Sequence, residues 1–266
     1  MRKVVAILLS FIFSFMCVVP CLAADFDSVI DSVLSTYESS DKSANSAVQQ
    51  LVNGTYRTFE FAYIWAMELD TYGEYSSMLE NIYSRYESSN SSASSAVQQA
   101  VNGSYRTFET LYVIANILDS RGRYEKVIDS VYDSFVASND NASSAPQQQV
   151  NGVYRTFEML YVIAHLLDDK GTYSEVIDSI LDTYEAADNN ASSAPQQIAN
   201  GTYRSFEMLY IIANILDSKG VYEELIDYVY DSYESGEDNA SSAPQQQVNG
   251  AYRCVEMLYI ITNIMK

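Results

Sequence analysis

The motif Asn-Gly-x-Tyr-Arg starts at Asn53, Asn102, Asn151, Asn200 and Asn249, and every step between copies is 49 residues. No other feature constrains the fold as strongly. A period of this size means that one supersecondary unit is repeated and that neighbouring copies serve as each other's core. A second marker keeps the same step, since Phe26, Tyr75, Tyr124, Tyr173 and Tyr222 each open an amphipathic segment. Units at about 25–72, 73–121, 122–170, 171–219 and 220–266 are therefore expected to form one domain over 25–266, with no length left for a separate catalytic domain.

Within a unit, the positions Tyr173, Val176, Ile177, Ile180, Leu181 and Tyr184 carry the spacing of a half-buried helix, while Glu175, Asp178, Asp182 and Glu185 line its other face. The next element opens with Ser144-Ala145-Pro146-Gln147, in which Ser can cap, Gln three residues later can return the bond, and Pro tolerates the first turn. Ser46, Ser95, Ser193 and Ser242 begin matching boxes. From there the stripe Val150, Tyr154, Phe157, Tyr161, Ala164 holds helical phase through Asn151-Gly152 to about Asp168, which predicts one long helix. A glycine inside a helix costs about 1 kcal/mol relative to Ala, and close approach of a neighbouring helix is the simplest reason to keep it. The alternative is that Asn-Gly ends one short helix and starts another, giving three helices per unit.

The run from Leu160 to Leu167 is apolar almost all round, so the long helix needs cover on both sides. The expected architecture is all-α: a right-handed-type α-solenoid of five tandem two-helix repeats, about ten helices in all. Glu68 stands where the other units have Ile117, Leu166, Ile215 and Ile264, and reads as a partial polar cap on the first unit, whereas Ile260 to Met265 stays apolar.

The turn Lys170-Gly171-Thr172-Tyr173, like Lys219-Gly220-Val221-Tyr222, resembles the Gly-x-Tyr junction between paired helices of tetratricopeptide repeats. The likeness recurs in four units and spans some ten residues of each. It departs in its 49-residue period and in placing proline at a helix start. The resemblance implies a helix-turn-helix solenoid that binds proteins or peptides.

Arg2 and Lys3 precede an apolar run from Val4 to Val19, and Cys21-Leu22-Ala23-Ala24 leads into Asp25-Phe26-Asp27. This is the order of a secretory signal peptide over 1–24, predicting a secreted, periplasmic or cell-surface protein after cleavage, with no membrane span in the mature chain. Cys17 and Cys21 depart with the signal, leaving Cys254 alone in a slot filled elsewhere by Thr58, Thr107, Thr156 and Ser205. A small buried hydrophobe is the favoured role for it, and intermolecular pairing the other.

Lys and Arg number 15 against 35 Asp and Glu, for a formal charge of −20, and such a chain repels phosphate backbones. Nucleic acid is excluded as a partner on that ground. Catalysis finds no support either: the single histidine, His165, has Met67, Asn116, Asn214 and Asn263 as counterparts, and no nucleophile or paired acid accompanies it. The acidic stripes on the shorter helices do not converge as a calcium site requires, so neither a metal nor a cofactor is expected. The sharper candidate is a polar row on the long helix, repeated in every unit. Its central copies are Gln99, Asn102, Arg106 and Glu109; Gln148, Asn151, Arg155 and Glu158; and Gln197, Asn200, Arg204 and Glu207. Spacings of three and four place each set on one side of its helix, where it serves either as a hydrogen-bonding surface or as a structural ladder of Arg–Glu pairs. The function expected is a non-catalytic helical-repeat scaffold binding a protein, peptide or glycan. The alternative is an extracellular structural subunit that stacks head-to-tail into fibres through complementary first and last units.

Overall fold

The computed structural model describes residues 26–266, so the export signal read at 1–24 lies outside the described residues. Short and long helices alternate: α1 Phe26–Ser43, α2 Ala47–Leu69, α3 Ser76–Ser92, α4 Ala96–Leu118, α5 Glu125–Asn141, α6 Ala145–Leu167, α7 Ser174–Asn190, α8 Ala194–Leu216, α9 Glu223–Asn239 and α10 Ala243–Met265. The fold is all-α, with five helix pairs packed in sequence. Each long helix runs unbroken through its Asn-Gly pair, so the unit holds two helices and not three.

Local chemistry explains where the helices begin and end. Ser46 and Ser95 accept from the backbone N–H of Gln49 and Gln98, as a capping residue should. In the three later repeats a proline enters the first turn and the serine makes no such bond. The glutamine of each box does return a bond, but to the residue before the cap: Gln147 Oε1 accepts from Ser143 N–H at 3.0 Å, and Gln49 from Asn45 at the same distance. The first four long helices stop at an aspartate that ties down the next turn. Asp168 accepts from the N–H groups of Thr172 and Tyr173, both at 2.8 Å, and the intervening Gly171 takes φ +66, a conformation glycine adopts freely.

The long helices pack on one another in a ring. Each touches its two long neighbours, and α10 packs on α2 as extensively as α6 packs on α8. The mid-helix glycines show how. A Cβ placed on Gly201 would lie 2.6 Å from Val153 Cγ1, one on Gly250 2.8 Å from Thr202 Cγ2, and one on Gly54 2.8 Å from Ala251 Cβ. Close approach of the neighbouring helix is thus the reason for the glycine, and the last of these contacts joins the first repeat to the fifth. The solenoid closes on itself as a barrel of five parallel inner helices, with the short helices as an outer layer.

The same pairings that link consecutive repeats recur across the closure. Tyr161 and Tyr210 donate to Asp178 and Asp227 of the next short helix at 2.9 and 3.1 Å, and Tyr259 donates to Asp31 of α1 at 3.4 Å. Ring centroids of Tyr154 and Tyr184 lie 5.1 Å apart, and those of Tyr252 and Tyr37 lie 5.0 Å apart. Glu68 accordingly stands at no open end. It lies at the closing seam, near Lys266 and Asp27, which pair with each other. The apolar C-terminal helix is covered too: Ile260 and Ile261 are buried, and Tyr259 meets the edge of Phe61 from α2.

Candidate functional site

The polar rows fall on the outer side of the inner helices, beneath the short helices. Arg106, Arg155 and Arg204 each pair with the glutamate three residues on, Glu109, Glu158 and Glu207, and the side chains concerned are only 11–24% exposed. Burial pushes the Glu158 and Glu207 carboxyls up, and the adjacent guanidinium opposes that shift. Asn102, Asn151 and Asn200 donate to the backbone carbonyls of Tyr86, Phe135 and Tyr184 on the preceding short helix, at 3.0, 3.2 and 3.3 Å. Arg155 and Arg204 also lie over the rings of Tyr154 and Tyr203, at 4.5 and 4.1 Å. Gln99, Gln148 and Gln197 are half-buried beside them. The Arg–Glu pairs thus lie within one helix, while the asparagine bonds fasten the outer layer to the inner one.

The lone histidine and the lone cysteine are also placed. His165 sits against the ring of Tyr161 and 3.2 Å from Asp178, on the outer surface. Cys254 is buried in the wall facing the barrel axis, where burial pushes its thiol up to about 12. Among the described residues no group of three or more His, Cys, Asp or Glu side chains could hold a metal ion, and no helix is long and apolar enough to cross a membrane.

One surface breaks the fivefold regularity. Between α9 and α1, above α10, a groove of about 170 Å³ is lined by Leu34, Tyr37 and Glu38 from α1, Leu225, Tyr228 and Val229 from α9, and Tyr252, Glu256, Tyr259 and Ile260 from α10. Three substitutions relative to other repeats shape it. Val255 replaces the Phe found at 59, 108, 157 and 206, whose rings stack on the next short helix; Phe157 and Tyr184, for instance, are 4.4 Å apart. Leu34 stands where three of the other four repeats have Tyr83, Tyr132 and Tyr230. Tyr228 stands where the other short helices carry Ser32, Asn81, Ser130 and Ser179, and it is 65% exposed beside the 41% exposed Leu225. Smaller residues open the floor, and an added aromatic forms one lip.

The groove is electrostatically one-sided. Glu38 is exposed at its rim, and Glu256 is raised by burial, with Arg253 opposing and Glu38 adding to the rise. Arg253 is engaged by Glu256 and lies over Tyr252 at 4.8 Å. Aromatic faces with carboxylates close by suit a cationic, partly apolar side chain. These residues were not singled out by periodicity, yet Tyr228 departs from its four counterparts, and that departure was the available signal. No protein-family model, no curated protein and no solved structure matches this chain.

Proposed function

We propose that this chain is an exported, non-catalytic helical-repeat scaffold that binds a basic segment of a partner protein in the groove between α9 and α1. The observation that carries this reading is the exposed Tyr228–Leu225 lip over a floor that includes Leu34, with the buried Val255 standing in place of a phenylalanine, at one of five otherwise similar crevices. Charge supports the choice of partner, because a protein with a formal charge of −20 and carboxylates beside the groove favours Lys- or Arg-containing segments in both encounter and docking. The Gly-x-Tyr junctions support regarding each unit as tetratricopeptide-like, which agrees with a protein-binding role. Head-to-tail fibre formation would need the faces of α2 and α10 that here pack on each other within one chain.

A peptide array graded from acidic to basic tests the proposal. Basic peptides containing Lys or Arg should bind the wild-type protein, and Tyr228→Ser, which restores the residue of three other repeats, should weaken them at least tenfold with unchanged thermal stability. Equal binding of acidic peptides, or a Tyr228→Ser variant that binds like wild type, would refute it.

A further inference from the structure

A second site lies inside the barrel. The inner helices enclose an axial cavity of about 60 Å³, walled by successive layers of equivalent residues from the layer of Leu51 to that of Ala62. At 1.5 Å of rise per residue those layers span about 16 Å of the axis. Spread over that length, the volume corresponds to a bore about 5 Å across once the radius of a water molecule is added. A single extended polymethylene chain fits such a bore and an aromatic ring does not.

The wall has the matching chemistry. Serines and threonines occupy much of it, but their hydroxyls turn back to the helix. Thr58, Thr107 and Ser205 donate to the carbonyls of Gly54, Gly103 and Gly201 at 2.8–2.9 Å, and Thr202 donates to Ile198 at 2.8 Å. What remains facing the axis is largely carbon, and leucines such as Leu160 and Leu209 close the far layer. Two polar groups break this pattern: Thr156 Oγ1, midway along the wall, is buried without a partner, and so is the amide nitrogen of Gln149. Gln149 is 4% exposed, lines the cavity at the end nearest the helix N-termini, and its Nε2 has no acceptor. Five parallel helices begin at that end with no acidic side chain in any first turn, so their dipoles favour an anion there.

We propose that the barrel axis binds one unbranched saturated carboxylate, with its hydrocarbon chain along the bore and a carboxylate oxygen accepting from Gln149 Nε2 at the N-terminal mouth. This site is independent of the outer groove.

Titration calorimetry with sodium carboxylates of increasing chain length, each kept below its micelle concentration, tests the assignment. One molecule should bind per chain, tightening about fourfold per added methylene. The gain should stop at roughly a dozen carbons, where a chain advancing about 1.25 Å per carbon fills the bore. Gln149→Leu should weaken every chain length by a similar factor, about tenfold, and keep the slope. Thr156→Leu, which fills the axis, should abolish binding. In the wild-type protein, ¹³C-labelled dodecanoate should show NOEs to the methyl groups of Thr107 and Thr156. Absence of saturable binding, affinity that keeps rising with length, unimpaired binding by a folded Thr156→Leu, or NOEs to Tyr228 and Leu225 in place of the axial threonines would overturn it.

Discussion

Replacing Gly54 by alanine distinguishes a closed barrel from an open array by the sign of its effect. In an open array Gly54 would sit on the free face of the first long helix, and Gly→Ala within a helix stabilises by about 1 kcal/mol. In the barrel the new Cβ lands 2.8 Å from Ala251 Cβ, a distance that forces one helix to shift. Overpacking of this kind costs about 1–3 kcal/mol, so after the helical gain the variant should be destabilised by up to about 2 kcal/mol. The partner substitution supplies the control. With Ala251→Gly the nearest remaining atoms are Ala251 C and Cα at 3.5 and 3.7 Å, which are ordinary contacts. Ala251→Gly alone should lose about 1 kcal/mol of helix propensity. The double variant should return close to wild type, giving a coupling energy of about 1–3 kcal/mol between the first and last repeats. Urea unfolding followed by far-UV circular dichroism measures all four corners of the cycle. A Gly54→Ala variant more stable than wild type, with effects that add within about 0.5 kcal/mol, would refute closure.

Other consequences follow from individual side chains. Glu68 is raised to about 7 by burial, with Lys266 opposing and Asp27 adding, so the folded state holds a proton that the unfolded chain releases near 4.5. Its contribution to stability is therefore present below about 4.5 and is lost as pH rises to about 7. The melting temperature of Glu68→Gln relative to wild type should accordingly rise between pH 5 and pH 8. The Cys254 thiol, buried and held up to about 12, should stay unreactive toward an aromatic disulfide reagent in native protein at pH 8 and react fully in denaturant. Asn151→Ala removes the tie to the Phe135 carbonyl and should cost about 1–3 kcal/mol in urea unfolding. Arg155→Ala strands the half-buried Glu158 and should be destabilising mainly at neutral pH, less so where the carboxylate is protonated.

The repeat, the helix pair and the purpose of the mid-helix glycine were all legible in the sequence, because periodicity at 49 residues and at helical spacing are both local properties. Closure was not. Whether an array of identical pairs stays open or bends into a ring depends on the angle between neighbouring long helices, which the width of residues such as Val153 against Gly201 sets and no repeat pattern encodes. Glu68 shows the cost: a polar residue replacing isoleucine reads equally well as a solvated end or as one member of a seam. The clues lay elsewhere in the first unit. Phe61 and Trp65 are bulkier than Thr110 and Ile114, and Gly54 would need no glycine on a free face. For the polar rows, spacing determines which residues share a side. Which neighbour covers that side follows only from how the two layers of helices sit.

A ring of repeats also differs from an open stack in how its length can change. An open stack lengthens or shortens by one unit with little effect on the others, whereas the contact between Gly54 and Ala251 forms only when the accumulated turn of all units adds to a full circle. Loss or gain of a single 49-residue copy would alter every interhelical angle at once and widen or collapse the central bore. Copy number in this chain is therefore fixed by geometry, in whole steps, and duplication within it is not a neutral event.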